Sequence, residues 1–176
     1  MRKNASPLRL ILSLFVICLI VGIALAFTNH ITKDAIADVL QSKKEASMQQ
    51  VLAAESYDPV EYTGSDAFVT EMYSAAGEGY VVRVSPKGFG GAIDMMVGVD
   101  SDGNVTGVSI VSMKETAGLG AKASEPDFTN QFVGKAGSVS VNKDGGEIVA
   151  LTSSTITSRA VCDGVNSALN AVKEVG

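Results

Sequence analysis

The sequence predicts an α+β fold: an N-terminal transmembrane helix, then a single exported domain with a mostly antiparallel sheet and a packed C-terminal helix. Three observations predict it. Residues 10–27 form an uninterrupted uncharged run of Leu, Ile, Val, Phe and small residues. Residues 80–84, 92–99 and 105–111 are rich in β-branched side chains and are separated by turn-forming clusters. Val161, Val165, Ala168, Leu169 and Val172 recur at helical spacing within residues 159–175.

At about 1.5 Å per residue, the run 10–27 nearly spans a hydrocarbon core about 30 Å thick, and its flanks supply the rest. Arg2, Lys3 and Arg9 precede it with no acidic residue among them, which leaves residues 1–9 in the cytoplasm and everything after Phe27 outside, on a cell membrane crossed once. Ala24-Leu25-Ala26 has the small-x-small form of a signal-peptidase site. The apolar run, however, is longer than the usual signal core of about 7–15 residues, so an uncleaved anchor is the expectation. Residues 28–54 continue as a membrane-proximal helix with an apolar stripe of Ile31, Ala35, Ile36, Val39, Leu40, Met48, Val51 and Leu52, and should pack back on the domain as a stalk. Pro59 ends that helical stretch, because proline disfavours helix for the residue before it.

The domain proper is expected at 55–176. Residues 55–79 read as a poorly patterned link with one short element near 67–73, and the glycine cluster 88–91 admits a turn or a close backbone approach. Asp100-Ser101-Asp102-Gly103-Asn104 resembles a calcium loop in composition. No glutamate follows at closing spacing, and the same residues suit a tight hairpin turn. After the strands come a glycine-flanked loop at 115–120, a short helix at 127–132, and a hairpin over 139–151 turning at Asp144-Gly145-Gly146, with 146–151 as its second strand.

Charge and residue inventory exclude several functions. Beyond the three N-terminal basic residues the chain has 11 Lys/Arg against 19 Asp/Glu, a formal charge of −8, which disfavours nucleic acid as a partner. Cys18 lies in the apolar run and Cys162 in the C-terminal helix, so no disulfide framework or CxxC metal site is present in the sequence, and no metal site is expected. The single histidine, His30, sits beside the membrane, leaving no Ser-His-Asp or Cys-His constellation and no complete active site on this chain alone.

The richest chemical signal is Thr152-Ser153-Ser154-Thr155-Ile156-Thr157-Ser158, between the strand read at 146–151 and the C-terminal helix. A strand-to-helix turn presents unpaired backbone N–H groups and the positive end of the helix dipole, which stabilise a phosphate without basic side chains. A hydroxyl there can also hold the phosphate covalently. The same hydroxyls suit helix capping, and the segment alone admits both readings.

A second signature, Lys114-Glu115-Thr116-Ala117-Gly118-Leu119-Gly120, precedes the first. Alone it reads equally as a flexible glycine loop. In that order, the pair resembles the FMN-binding G subunit of the Rnf electron-transport complex, a relative of the C subunit of the sodium-translocating NADH:quinone reductase. The family patterns are E-T-P-G-L-G and S-G-A-T-x-T-S. Here Ala117 replaces the proline, Ser153-Ser154 replace Gly-Ala, and Val149 stands where an aspartate is frequent.

The resemblance implies FMN held by a phosphoester on Thr155, with Ser153, Ser154, Ile156 and Thr157 around the attachment point. The N–H groups near Thr157 and Ser158 would solvate the phosphate. Thr116 and Leu119 would touch the ring or the ribityl chain, Gly118 would let the loop approach closely, and Glu115 would orient it. It implies an electron-carrying subunit of a membrane-bound, ion-translocating ferredoxin:NAD oxidoreductase. Partners would be the other membrane subunits and a flavin transferase for maturation. One apolar helix without an intramembrane acid offers no ion path, so ion transport would lie with those neighbours. Two other classes stand beside this one: a membrane-tethered FMN-binding sensor, and a cofactor-free exported structural domain.

Overall fold

The structure, a computed structural model, describes residues 7–175, which fall into two units divided between Ser42 and Lys43. Arg2 and Lys3, and the side chains of Ala35 and Leu40, lie outside what is described. Helix α1 (Pro7–Val51) runs without a break through both the apolar run and the helix expected after it. In the first unit, Leu8–Lys33 is long and apolar enough to cross a membrane, and its side chains are exposed. Ser13 Oγ donates to Leu10 O and Thr28 Oγ1 to Ala24 O, both at 2.9 Å, so these hydroxyls are satisfied within the helix, as an apolar surround requires. Ile31, Ile36 and Val39 are exposed here, whereas Met48 and Val51 are buried in the second unit.

The second unit is built on a five-stranded antiparallel meander in the order β1 (Asp58–Val60), β2 (Val69–Ala75), β3 (Gly79–Val84), β4 (Ile93–Asp100) and β5 (Val105–Met113). The last three match the segments read from sequence. Asp100 closes the β4–β5 hairpin by accepting the N–H of Asp102 at 3.0 Å and of Asn104 at 2.8 Å. The stretch read as a link also holds β1, and the short element expected near 67–73 is β2.

Both faces of the sheet are covered. On one, Met72, Val82, Val84, Met95, Val97 and Val108 pack against Val161, Val165, Leu169 and Val172 of helix α3 (Thr155–Val175). Phe128 and Phe132, edge to face with ring centroids 5.6 Å apart, extend that core. Cys162 belongs to it, and burial pushes its thiol pKa up to about 12, so it packs as a neutral apolar group. On the other face, Met48 and Val51 of α1 cover Val81, Met96 and Val111. There Thr106 Oγ1 donates to Val51 O at 2.6 Å and Tyr57 Oη to Leu52 O at 2.6 Å, supplying partners to carbonyls a helix end leaves open. Lys44 and Arg83 both pair with Glu71, fastening the same helical turns to β2 and β3.

Between β5 and α3 the chain makes a 3-10 turn (Gly120–Ser124), the one-turn helix α2 (Pro126–Thr129) and a second 3-10 turn (Asn130–Phe132). The hairpin expected over 139–151 does not form. Val141 and Ile148 make an isolated parallel bridge, and Asn142–Asp144 is a 3-10 turn ending on left-handed Gly145. The physical reason is competition from side-chain amides. Asn166 pairs with both the N–H and C=O of Val139 (2.8 and 2.9 Å), Gln131 Oε1 accepts the N–H of Val149 (2.7 Å), and Asn142 Oδ1 accepts that of Ala150 (3.2 Å). Val139, Val141 and Ile148 are buried while Val149 is exposed, and side chains take the place of a partner strand.

Candidate functional site

Helix α3 starts at Thr155, four residues before the start read from apolar spacing, so half of the hydroxyl run lies in its first turn. The chain enters through a turn in which Ser154 N–H donates to Leu151 O at 3.1 Å and Ser153 takes φ +62°. Ser158 holds the turn to the helix: its Oγ accepts Leu151 N–H and donates to Ser154 O, each at 3.0 Å. The Ser158 N–H itself donates to Ser154 O at 3.0 Å, opening the helical ladder. This corrects the expectation that it would face a phosphate. The N–H groups left at the helix start are those of the residues before it, Thr155 to Thr157.

Opposite lies a second turn, Thr116–Leu119, closed by Leu119 N–H to Thr116 O at 3.1 Å with Gly118 at φ +75°. The two turns bound a cleft of about 440 Å³ lined by Phe89, Glu115, Thr116, Leu119, Gly120, Ser153, Ser154, Thr155, Ile156 and Thr157. Apart from Gly118 and Ser158, every site residue expected from the sequence lines this cleft. Gly118 lines an adjoining cleft of about 430 Å³ that shares Leu119 and Ser153, and open space surrounds the position of a Cβ there. Its contribution is the turn conformation rather than a close approach.

Glu115 ties the cleft together. Its Oε1 accepts the N–H of Gly90 at 2.9 Å, and its Oε2 accepts the hydroxyl of Thr157 at 2.8 Å. One carboxylate thus joins the 88–91 loop, the 115–120 loop and α3. Gly120 makes room for it, because a Cβ there would lie 2.6 Å from Glu115 Oε2 and 2.9 Å from Thr157 Oγ1.

The hydroxyls differ in availability. Thr157 and Ser158 are buried and engaged, whereas Thr155 is half-buried on the cleft wall and accepts a hydrogen bond from Lys143 Nζ at 2.8 Å. Next to Lys143, Asp144 pairs bidentately with Arg159 (2.7 and 2.6 Å), which holds its carboxyl below the usual range. Sequence reasoning missed Phe89 and Lys143. An aromatic inside Gly88-Phe89-Gly90-Gly91 was a signal for the first. The second had none, because the expected hairpin put Lys143 in a solvated turn.

The cleft suits FMN. Its volume is in the range of small-molecule sites, Phe89, Leu119 and Ile156 give apolar walls, and the wall at the start of α3 carries helix-start N–H groups and the Thr155 hydroxyl, to which the Lys143 ammonium group donates. Residues 88–170 match the FMN-binding domain family, a span that contains every residue of the cleft. The chain is 33% identical to the G subunit of the Na(+)-translocating ferredoxin:NAD(+) oxidoreductase complex of Acetobacterium woodii, over 90% of this chain and 87% of that one. It is 37% identical to the proton-translocating counterpart from Clostridium ljungdahlii, over 91% and 88%. The chain belongs to the G-subunit family of these complexes.

Another G subunit, from the ion-translocating oxidoreductase complex of Escherichia coli, is 34% identical over 86% of this chain and 80% of that protein. The family assignment agrees with the resemblance read from the two signatures. A solved structure of the C subunit of Na(+)-translocating NADH-quinone reductase from Parabacteroides distasonis matches the fold with a TM-score of 0.51 at 24% identity, over 74% of this chain and 80% of that one. The similarity to the G-subunit relatives covers about nine-tenths of this chain and so runs well beyond the FMN-binding span.

Proposed function

We propose that this chain carries FMN esterified through its phosphate to Thr155 Oγ1, and that it serves as an electron-carrying subunit of an Rnf-like, ion-translocating ferredoxin:NAD oxidoreductase. The observation that carries the attachment residue is the state of the hydroxyls. Thr155 opens on the cleft, whereas Thr157 is buried and donates to Glu115. FMN, when bound, supplies exchange of one or two electrons. The chain supplies position. Phe89, Leu119 and Ile156 offer apolar surface to a planar ring, and the free N–H groups of the first turn of α3 offer donors to a phosphate. Glu115 fixes the spacing between the two walls.

Residues 1–9 lie in the cytoplasm, residues 10–27 cross the bilayer, and the domain faces the extracytoplasmic side, as the basic N-terminal flank and uncharged run support. A covalent link suits that location, since a dissociated cofactor would be lost to the outside. The remaining membrane subunits pass electrons to and from this domain and provide the ion path, and a flavin transferase matures it.

The test is mass spectrometry of the peptide spanning residues 149–159, from full-length chain produced in membranes together with a flavin transferase. The expected result is addition of one FMN less water, localised to Thr155, absent in Thr155→Ala and retained in Thr157→Ala. An unmodified peptide from material matured this way overturns the reading. Modification that persists in Thr155→Ala moves the attachment elsewhere.

A further inference from the structure

We propose that Lys143 is the positioning residue for the phosphate at Thr155: its ammonium group is the fixed counter-charge that favours ester formation and stays paired with the ester afterwards. This rests on the reading that Thr155 carries FMN. The geometry makes Lys143 more than a surface lysine. Its nitrogen sits 2.8 Å from the attachment oxygen itself. The residues on either side of it are both anchored, Asn142 through its side chain to the backbone of Ala150 and Asp144 through a bidentate pair to Arg159 of α3. The 3-10 turn Asn142–Asp144 is therefore tied both to the segment that enters α3 and to α3, with Lys143 between the two ties.

Structural need does not explain that arrangement. An exposed lysine donating to a threonine hydroxyl contributes little to stability, because ordering its long side chain offsets the bond. The neighbouring cation, Arg159, is already neutralised by Asp144, and Lys122 lies in the adjoining cleft with Glu125 and Asp127. A phosphate at Thr155 would otherwise enter a domain of formal charge −8 with Glu115 on the facing wall.

Attachment forms a bond between Thr155 Oγ1 and phosphorus and breaks the phosphoanhydride bond of a flavin dinucleotide donor. A nucleoside monophosphate leaves, and the hydroxyl proton passes to solvent. No oxidant or reductant is needed. As Oγ1 becomes a bridging oxygen and a poorer acceptor, the Lys143 N–H donors pass to the adjacent non-bridging phosphate oxygens, which carry the negative charge. Helix-start N–H groups stabilise that charge from the other side.

The experiment follows flavin attachment to purified full-length chain by in-gel fluorescence, with flavin transferase and flavin dinucleotide, at low and high ionic strength. Lys143→Ala should slow attachment about 10-fold at low salt, a fraction of what loss of a buried oxyanion donor costs, because the site is exposed and screened. Lys143→Glu should be slower still, and Lys143→Arg should stay within about 3-fold of wild type, since charge and reach persist. Salt should slow the wild type more steeply than Lys143→Ala. In matured protein, the ³¹P resonance of the ester should move in Lys143→Ala and much less in Lys143→Arg.

Attachment in Lys143→Ala and Lys143→Glu at the wild-type rate and salt dependence overturns the inference. So does Lys143→Arg as slow as Lys143→Ala. Slow attachment with an unmoved ³¹P resonance assigns Lys143 to recognition by the transferase and equally overturns it. If the wild-type peptide is unmodified, the underlying reading fails and the inference with it, an outcome distinct from a variant-specific loss.

Discussion

The two turns that face each other across the cleft share a backbone device and differ in the residue that executes it. Thr116–Leu119 places Gly118 at φ +75°, where the absence of a Cβ makes the left-handed conformation free of steric cost. Leu151–Ser154 places Ser153 at φ +62°, where a Cβ costs about 1–2 kcal/mol. The strained turn is the one next to Thr155. It persists because its surroundings fix it: Gln131, Asn142 and Ser158 hold the three N–H groups leading into it. Strain beside Thr155 is thus maintained by side chains from three separate parts of the chain, while the facing turn needs only its glycine.

That contrast can be broken from either side. The largest effect is expected from Ser158→Ala, which removes the acceptor of Leu151 N–H from a buried position and should destabilise the domain by about 1–3 kcal/mol, read by denaturant unfolding. Gly118→Ala imposes on the relaxed turn the cost that the other already bears, and should lose about 1 kcal/mol in the same measurement. Ser153→Gly should act in the opposite direction and gain up to about 1 kcal/mol, because relief of the strained conformation exceeds the added entropy of the unfolded chain. An equal loss in both glycine-swapped turns would show that side-chain contacts, not φ, decide them. Ala117→Pro is the smallest change. Ala117 occupies the turn position before Gly118, which suits proline, and thermal unfolding should register a gain of about 0.5 kcal/mol.

Sequence legibility varied with how far each structure depended on its own residues. Strands β3 to β5 were readable because their apolar residues are local and their turn residues, Asp100 to Asn104, close the hairpin themselves. In β2 only Met72 and Ala75 are buried, and its polar residues serve the ion pairs of Glu71 and the half-buried Tyr73, so the sparse apolar pattern marked a short element near 67–73 without showing it to be a strand. The region 139–151 carried a strand-like pattern that side-chain amides satisfied from outside, which no pattern within the segment records. The two signatures supply residues of both cleft walls, Glu115, Thr116 and Leu119 on one and Ser153 to Thr157 on the other. Phe89 reaches the cleft and Lys143 reaches Thr155 only through folding, one beside the Gly90–Glu115 bond and the other beside the Asp144–Arg159 pair.

The amide-satisfied stretch at Val149 to Leu151 has a consequence for how proteins can approach Thr155. An extended, accessible backbone would ordinarily serve as a docking rail, recruiting a visitor's strand by main-chain pairing and inviting copies of the chain to zip together. Here its three donors are already occupied from within. A protein that reaches Thr155 past these residues therefore meets side-chain shape and charge rather than free backbone donors.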